Sequence, residues 1–147
     1  MIPVAATAHG LVEAFLLEAD LTVAGLDETA LWMELDAERR ITGTTGFELV
    51  GRHALIRSVA VRPDLRSSGL GSRLAGFAID AAAQRGATTA WLFSRRSGPF
   101  WQRLGFAQAS TADLAAALAG TAQVRLFTET GQLEREVAWR LDLPSAD

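Results

Sequence analysis

The chain of 147 residues contains no cysteine, no lysine and no tyrosine. The absence of cysteine excludes disulfide bonds, thiolate metal sites and cysteine nucleophiles, and we expect no bound metal. Because the phosphate loop of the Walker type needs its lysine, that class of nucleotide-binding protein is also excluded. All 14 basic residues are arginine.

The sequence also lacks an excess of positive charge and a long apolar run. The net charge is −3, so a nucleic acid is not an expected partner. No apolar run approaches the roughly 20 residues that a membrane helix needs. The first residues lack the basic start and apolar region of a signal peptide. We therefore expect no membrane partner and a cytoplasmic location.

Apolar residues make up 49% of the chain, enough for the core of one domain over residues 1–147. Alternating and helical spacings predict strands at 2–7, 30–35, 40–50, 53–61, 88–93, 106–109, 124–128 and 136–143. They predict helices at 8–19, 69–85, 99–104 and 111–119, with a short helix or turn at 21–25. This order indicates a mixed α/β sheet with a crossover unit in its middle.

The most informative segment is a strand, followed by a turn with two glycines, that opens the clearest predicted helix. Backbone amides at a helix start have no internal partner and carry partial positive charge. Gly69 and Gly71 let a ligand approach these amides, which suits an anion and above all a pyrophosphate. Arg66 and Arg73 would add charge-assisted hydrogen bonds. A dinucleotide fingerprint would need a third glycine where Leu74 stands, so that class is excluded.

Two motifs resemble those of the GNAT superfamily of N-acetyltransferases. Arg66-Ser67-Ser68-Gly69-Leu70-Gly71, after a Val-x-Val pair, resembles its acetyl-CoA motif. Phe100-Trp101-Gln102-Arg103-Leu104-Gly105-Phe106 resembles the segment Phe-Tyr-x-x-Leu-Gly-Phe on the helix after the fifth strand. The resemblance covers residues 2–143 and is specific over residues 55–106.

The resemblance implies an α/β fold of a single GNAT domain, with a mixed, mostly antiparallel sheet, a central splayed parallel strand pair and flanking helices. The protein would then be an acyl-CoA N-acyltransferase that fills the gap between the splayed strands with acetyl-CoA. A bulge near Val59 and Ala60 would offer backbone groups to the pantetheine arm and the thioester carbonyl. The implied coenzyme A contacts are Val59, Ala60, Val61, Arg66, Ser67, Ser68, Gly69, Leu70, Gly71, Ser72, Arg73, Ser94 and Trp101.

Attack of an amine on a thioester needs a neutral amine, a stabilised oxyanion and a protonated leaving thiolate. The resemblance assigns the oxyanion to the backbone amides of Val59 or Ala60. Many family members use a tyrosine as the acid where this chain has Trp101, which cannot donate a proton. Water, Ser94 or Ser97 would then protonate the thiolate, and Trp101 would form a wall of the cleft or a part of the core.

The predicted general base is Glu48, with Glu34 and His53 as alternatives; a substrate amine of lowered pKa would need no base. Arg57 lies in a strand that should be central, where an unpaired guanidinium is costly. It therefore either forms an internal salt bridge with Glu34 or Glu48 or clamps a substrate carboxylate. Arg95 and Arg96 either extend that clamp or belong to a solvated loop.

The strand Leu55-Ile56-Arg57-Ser58 also resembles that of short bacterial amino-acid N-acetyltransferases, including arsinothricin acetyltransferases and N-acetylglutamate-synthase-like proteins. That resemblance implies the α-amine of an acidic amino acid or analogue as acceptor. Alternatives are a protein N-terminus or an aminoglycoside, although arginines in the cleft disfavour a polycation. A non-catalytic acyl-CoA sensor is a further alternative. Relatives often form homodimers, and the late strands offer an interface for one.

Overall fold

Seven strands form one sheet in the computed structural model, which describes residues 1–144. The strands are β1 (Ile2–Pro3), β2 (Ala30–Leu35), β3 (Ile41–Val50), β4 (His53–Val61), β5 (Thr89–Phe93), β6 (Ala107–Ala109) and β7 (Ala138–Asp142). The α-helices of this part of the chain are α1 (His9–Glu18), α2 (Leu70–Gln84), α3 (Gly98–Arg103), α4 (Thr111–Ala117) and α5 (Ala122–Thr130). No helix within residues 1–144 has the length and apolarity needed to cross a bilayer.

The strand order is β1-β2-β3-β4-β5-β7-β6, and every neighbouring pair is antiparallel except β4 and β5. Helix α2 makes the crossover between these two parallel strands, as parallel strands require. Their pairing covers only residues 53–55 with residues 89–91. Beyond that point β4 and β5 separate, so the expectation of a mixed sheet with a splayed parallel pair is confirmed.

Side chains of the central strands are buried on both faces of the sheet. Ile56 of β4 packs in the core that contains the α2 residues Ala75 and Ala78. Leu55 points the other way, because successive strand residues alternate, and packs with Leu114 of α4. The sheet is thus covered on both faces around β4 and β5, so the gap between these two strands lies inside the protein.

Two chain segments differ from the sequence-based prediction. Residues 124–128, predicted as a strand, lie in helix α5, whose first turn is capped by the Thr121 hydroxyl accepting from the Val124 amide at 3.3 Å. Gly131, with φ +75°, ends that helix. The first strand, expected over residues 2–7, ends at Pro3 and is followed by a 3₁₀ turn at Ala6–Ala8.

Candidate active site

Strand β4 carries a bulge next to the gap in the sheet. Arg57 pairs with Gly46 and Ala60 pairs with Thr44, so two residues of β4, Ser58 and Val59, lie opposite one residue of β3. Ser58 adopts φ +62°, a left-handed conformation that is uncommon for a residue other than glycine. A strained backbone of this kind, held in a cleft, is typical of functional sites. The bulge lies one residue earlier than the predicted position near Val59 and Ala60.

The start of α2 lies beyond the end of β4 and presents free backbone amides. Gly69 precedes the helix with φ +88°, and an added Cβ there would meet no atom within 4 Å. Within the described residues, the amides of Gly69, Gly71 and Ser72 donate no hydrogen bond, whereas the Leu70 amide donates weakly to the Ser68 hydroxyl at 3.4 Å. These amides are free at the place where the motif predicts an anion site.

A cavity of about 540 Å³ fills the gap between β4 and β5 and reaches the start of α2. We call it the strand-gap cavity. Its middle is apolar and is lined by Ile56, Leu92 and Trp101. Its end at α2 is polar and is lined by Arg66, Gly71 and Ser72. An elongated molecule with an apolar arm and a phosphate end fits such a lining, so the residues present suit coenzyme A.

A second cavity of about 670 Å³, the loop cavity, adjoins the first on the side of the loop after β5. Both cavities share the bulge residue Val59 and the serines Ser94 and Ser97. The loop cavity adds charged side chains to this lining, among them Arg95, Arg96, Asp20 and Glu136. The two cavities therefore meet at the bulge, one mainly apolar and the other charged.

Arg57 and Glu48 form an ion pair inside the protein, with 3.0 Å between Arg57 Nη1 and Glu48 Oε2 and side chains 1% and 5% exposed. This is one of the two alternatives predicted for Arg57. The guanidinium also donates to the Ser58 hydroxyl at 3.3 Å and to the Thr22 carbonyl at 3.4 Å. Burial lowers the pKa of Arg57, and the bond to Glu48 opposes that change. Arg57 lines the strand-gap cavity, but its side chain is 1% exposed and held by Glu48, so its role as a substrate clamp stays a prediction.

Glu48 does not suit the role of general base, because both of its oxygens are occupied. Oε1 accepts from the Ala122 amide at 2.8 Å, and Oε2 accepts from Arg57 and from the Gln123 amide. Glu48 lines neither cavity. Its geometry instead ties the start of α5 to the bulged strand, as a carboxylate at a helix N-terminus is expected to do.

The alternative bases also lie elsewhere. Glu34 holds Arg73 at 2.9 Å, and His53 accepts from the Trp91 indole through Nδ1 at 3.1 Å. Neither residue lines the strand-gap cavity or the loop cavity. Arg73, predicted to bind phosphate, also lines neither cavity. Its guanidinium pairs with the Glu34 carboxylate instead. Arg66, also predicted to bind phosphate, lines both cavities.

Trp101 takes both of the roles considered for it. It is buried in the core, packs edge-on against Phe100 and Phe106, and lines the strand-gap cavity. Ser94 lines both cavities, and its hydroxyl accepts from the Ser97 amide at 3.1 Å. Arg95 and Arg96 are more than half exposed and pair with Glu136 and Asp20, as expected of a solvated loop. Both also line the loop cavity, and their role in a clamp stays a prediction.

Several residues that line the cavities were not predicted from the sequence. Phe100 and Arg103 flank Trp101 on α3, and their place in the second motif was the signal that could have found them. Gln123 reaches both cavities from α5, which was predicted as a strand. Glu136 lies just before β7 in a stretch with no recognisable motif, so only the fold reveals it.

The sequence profile of the acetyltransferase (GNAT) family matches residues 8–106. Among solved structures, the chain is similar to a GNAT-family acetyltransferase from Staphylococcus aureus Mu50, with a TM-score of 0.74 and 14% identity over 97% of this chain and 98% of that one. It is also similar to N-acetylglutamate synthase from Neisseria gonorrhoeae complexed with coenzyme A and N-acetyl-glutamate, with a TM-score of 0.73 and 15% identity over 98% of this chain and 34% of that one.

A third similar structure is that of Rv2747 from Mycobacterium tuberculosis in a complex that contains CoA, with a TM-score of 0.68 and 14% identity over 94% of this chain and 95% of that one. A comparison with curated proteins gave no match. At these identities the structural likeness establishes the fold, and the profile match establishes the family. The chain thus belongs to the GNAT acetyltransferase family and is an N-acyltransferase whose cosubstrate is acetyl-CoA.

Proposed function

We propose that the strand-gap cavity binds acetyl-CoA with its diphosphate at the start of α2 and its thioester at the bulge of β4. The unpaired amides of Gly69, Gly71 and Ser72 support the diphosphate position, since they carry partial positive charge. Arg66 lines the same cavity and adds a full positive charge. The apolar walls Ile56 and Leu92 suit the pantetheine arm.

In the reaction, the acceptor nitrogen attacks the thioester carbonyl carbon. A backbone amide of Val59 or Ala60 stabilises the oxyanion that forms. The tetrahedral adduct then keeps its new C–N bond and its C–S bond breaks. The leaving thiolate takes a proton from water or through Ser94 or Ser97, which line both cavities. The acceptor ammonium gives one proton to water before attack, and the nitrogen of the tetrahedral adduct gives a second proton to water after it.

We further propose that the acceptor is a small primary amine that carries carboxylate groups, such as the α-amine of an acidic amino acid. The observation that carries this proposal is the loop cavity, which meets the strand-gap cavity at Val59 and is lined by three arginines, Arg66, Arg95 and Arg96. Guanidinium groups recognise carboxylates through paired hydrogen bonds. A polycationic acceptor such as an aminoglycoside would meet repulsion from the same arginines.

A free-thiol assay with acetyl-CoA and a panel of amines tests the acceptor class. The panel contains glutamate, aspartate, their neutral amides, an aminoglycoside and a peptide with a free N-terminus. We expect the dicarboxylic amino acids to give the highest kcat/KM, with the N-acetyl product identified by mass spectrometry. A higher kcat/KM for the aminoglycoside or the peptide would contradict the acidic acceptor, and hydrolysis without any acetylated product would contradict amine transfer.

A further inference from the structure

The pairing of β5 with β7 brings the loop after β5 next to the residues before β7. Phe93 pairs with Ala138, and the Ser94 amide donates to the Val137 carbonyl at 2.9 Å. The antiparallel register therefore continues to Arg95 and Glu136, whose side chains meet with 3.3 Å between Arg95 Nε and Glu136 Oε2. The sheet thus fixes the position of Glu136 at the edge of the loop cavity.

Glu136 is a shielded carboxylate with one occupied oxygen. Its side chain is 7% exposed and lines the loop cavity. Oε2 accepts from the Gln132 side-chain nitrogen Nε2 at 2.6 Å and faces Arg95, whereas Oε1 accepts no hydrogen bond from residues 1–144. No side-chain polar atom in the described part of the chain is both sealed from solvent and unpaired. Oε1 is therefore not sealed from solvent, and its residue lines the loop cavity.

The other carboxylates near the reacting centre differ from Glu136 in these respects. Glu48 has both oxygens occupied and lines neither cavity. Asp20 lines the loop cavity, but its side chain is 85% exposed and pairs with Arg96. A solvated carboxylate binds a cation weakly, while a shielded one with a free oxygen binds it more strongly. Glu136 is thus the acidic group best suited to hold a cationic ligand.

We propose that Glu136 binds the ammonium group of the acceptor through Oε1, while Arg95 and Arg96 bind an acceptor carboxylate. This inference rests on the proposed transfer of acetyl to a carboxylate-bearing amine and adds a specificity-determining residue to it. The loop cavity is lined by Val59 and Ala60 as well as Glu136, so an amine held by Glu136 shares the cavity with the bulge. The bond from Gln132 orients the carboxylate by holding its other oxygen.

The test compares Glu136→Gln with Glu134→Gln, measured on the acceptor that the amine panel identifies. Gln keeps the shape of the side chain and removes only the charge. Glu134 lies in the 3₁₀ turn Gln132–Arg135, just before Glu136, and its exposed side chain lines neither cavity. We expect Glu136→Gln to raise the acceptor KM roughly tenfold to a hundredfold, as for a lost charge-assisted hydrogen bond. The KM for acetyl-CoA should stay within about twofold, and Glu134→Gln should leave both constants unchanged.

A second acceptor separates charge recognition from a merely structural role. An aminooxy analogue of the acceptor has an amino group that is neutral at neutral pH, so its KM should rise far less in Glu136→Gln. Glu136→Asp, which keeps the charge, should raise the KM of the normal acceptor less than Glu136→Gln does. Equal losses for both acceptors, or an unchanged acceptor KM, would overturn this inference alone. Failure of the unmodified protein to acetylate any amine of the panel would overturn the proposed function and this inference together.

Discussion

Arg57 and Glu48 show how single residues hold the reacting part of the sheet in place. Glu48 Oε1 and Oε2 bind the first amides of α5, and Arg57 connects the same carboxylate to the hydroxyl of Ser58, the strained residue of the bulge. The Ser58 carbonyl also accepts from the Thr44 hydroxyl at 2.8 Å. A buried charge network of this kind is costly to break, because each charge depends on its partner.

We predict that Glu48→Gln lowers the free energy of unfolding by about 3–5 kcal/mol, the usual cost of leaving one charge of a buried pair alone. Glu34→Gln is the matched control, since it removes the exposed pair with Arg73 and should cost at most about 1 kcal/mol. Urea unfolding followed by circular dichroism gives both values. Equal, small losses in the two variants would contradict a structural role for the buried pair.

At the scale of elements, most strands and helices follow from local patterns in the sequence. The strand His53–Val61 has the predicted bounds, and α2 begins within one residue of the predicted start. The helix α5 was missed because its alternation of apolar residues imitates a strand, while part of its stabilisation comes from Glu48, 74 residues away from Ala122. Local spacing contains no signal for a contact of that range.

The turn between β2 and β3 depends on one carboxylate. Asp36 accepts from the amides of Glu38 and Arg40 at 2.9 Å and from the Arg62 guanidinium at 2.8 Å. These bonds, led by the Arg40 amide and the Arg62 side chain, lower the pKa of Asp36 from 3.8 to about 2. Hydrogen bonds to a charged carboxylate favour its ionised form, so the hairpin is most stable when Asp36 is charged.

We predict that Asp36→Asn lowers the thermal midpoint at pH 6 and that the difference from the unmodified protein disappears toward pH 2. The folded-state pKa lies below the unfolded value of 3.8. The stabilisation is therefore complete above about pH 5 and is lost as the pH falls through the folded value. Glu38→Gln, in the same turn, is the control and should shift the midpoint little at any pH. If the thermal midpoint of Asp36→Asn stays below that of the unmodified protein at pH 2, ionised Asp36 is not the source of the stabilisation.

At the scale of the whole molecule, the candidate active site lies where β4 and β5 separate. The two sequence motifs predicted the free amides at α2 and the wall formed by Trp101, because each is local. The loop cavity was not predicted, because it brings together the loop after β5, the turn before β7 and the start of α5. For the same reason the sequence left open whether Arg57 pairs with Glu48, an ion pair that takes up the carboxylate of the predicted base. The carboxylate clamp stays a prediction. The homodimer and the cytoplasmic location stay predictions.

The central claim is that the amides at the start of α2 bind the diphosphate of coenzyme A, and isothermal titration of CoA tests it most directly. In Gly71→Glu, the added Cβ would have ordinary contacts of 3.6 Å with Phe100 and Val61, so the change brings mainly a negative charge. The control is Gly76→Glu, in the same helix, where an added Cβ would meet no atom within 4 Å. We predict at least a tenfold weaker CoA affinity in Gly71→Glu, about 1.4 kcal/mol, and unchanged affinity in Gly76→Glu. Unchanged affinity in Gly71→Glu, or the same loss in both variants, would contradict the account.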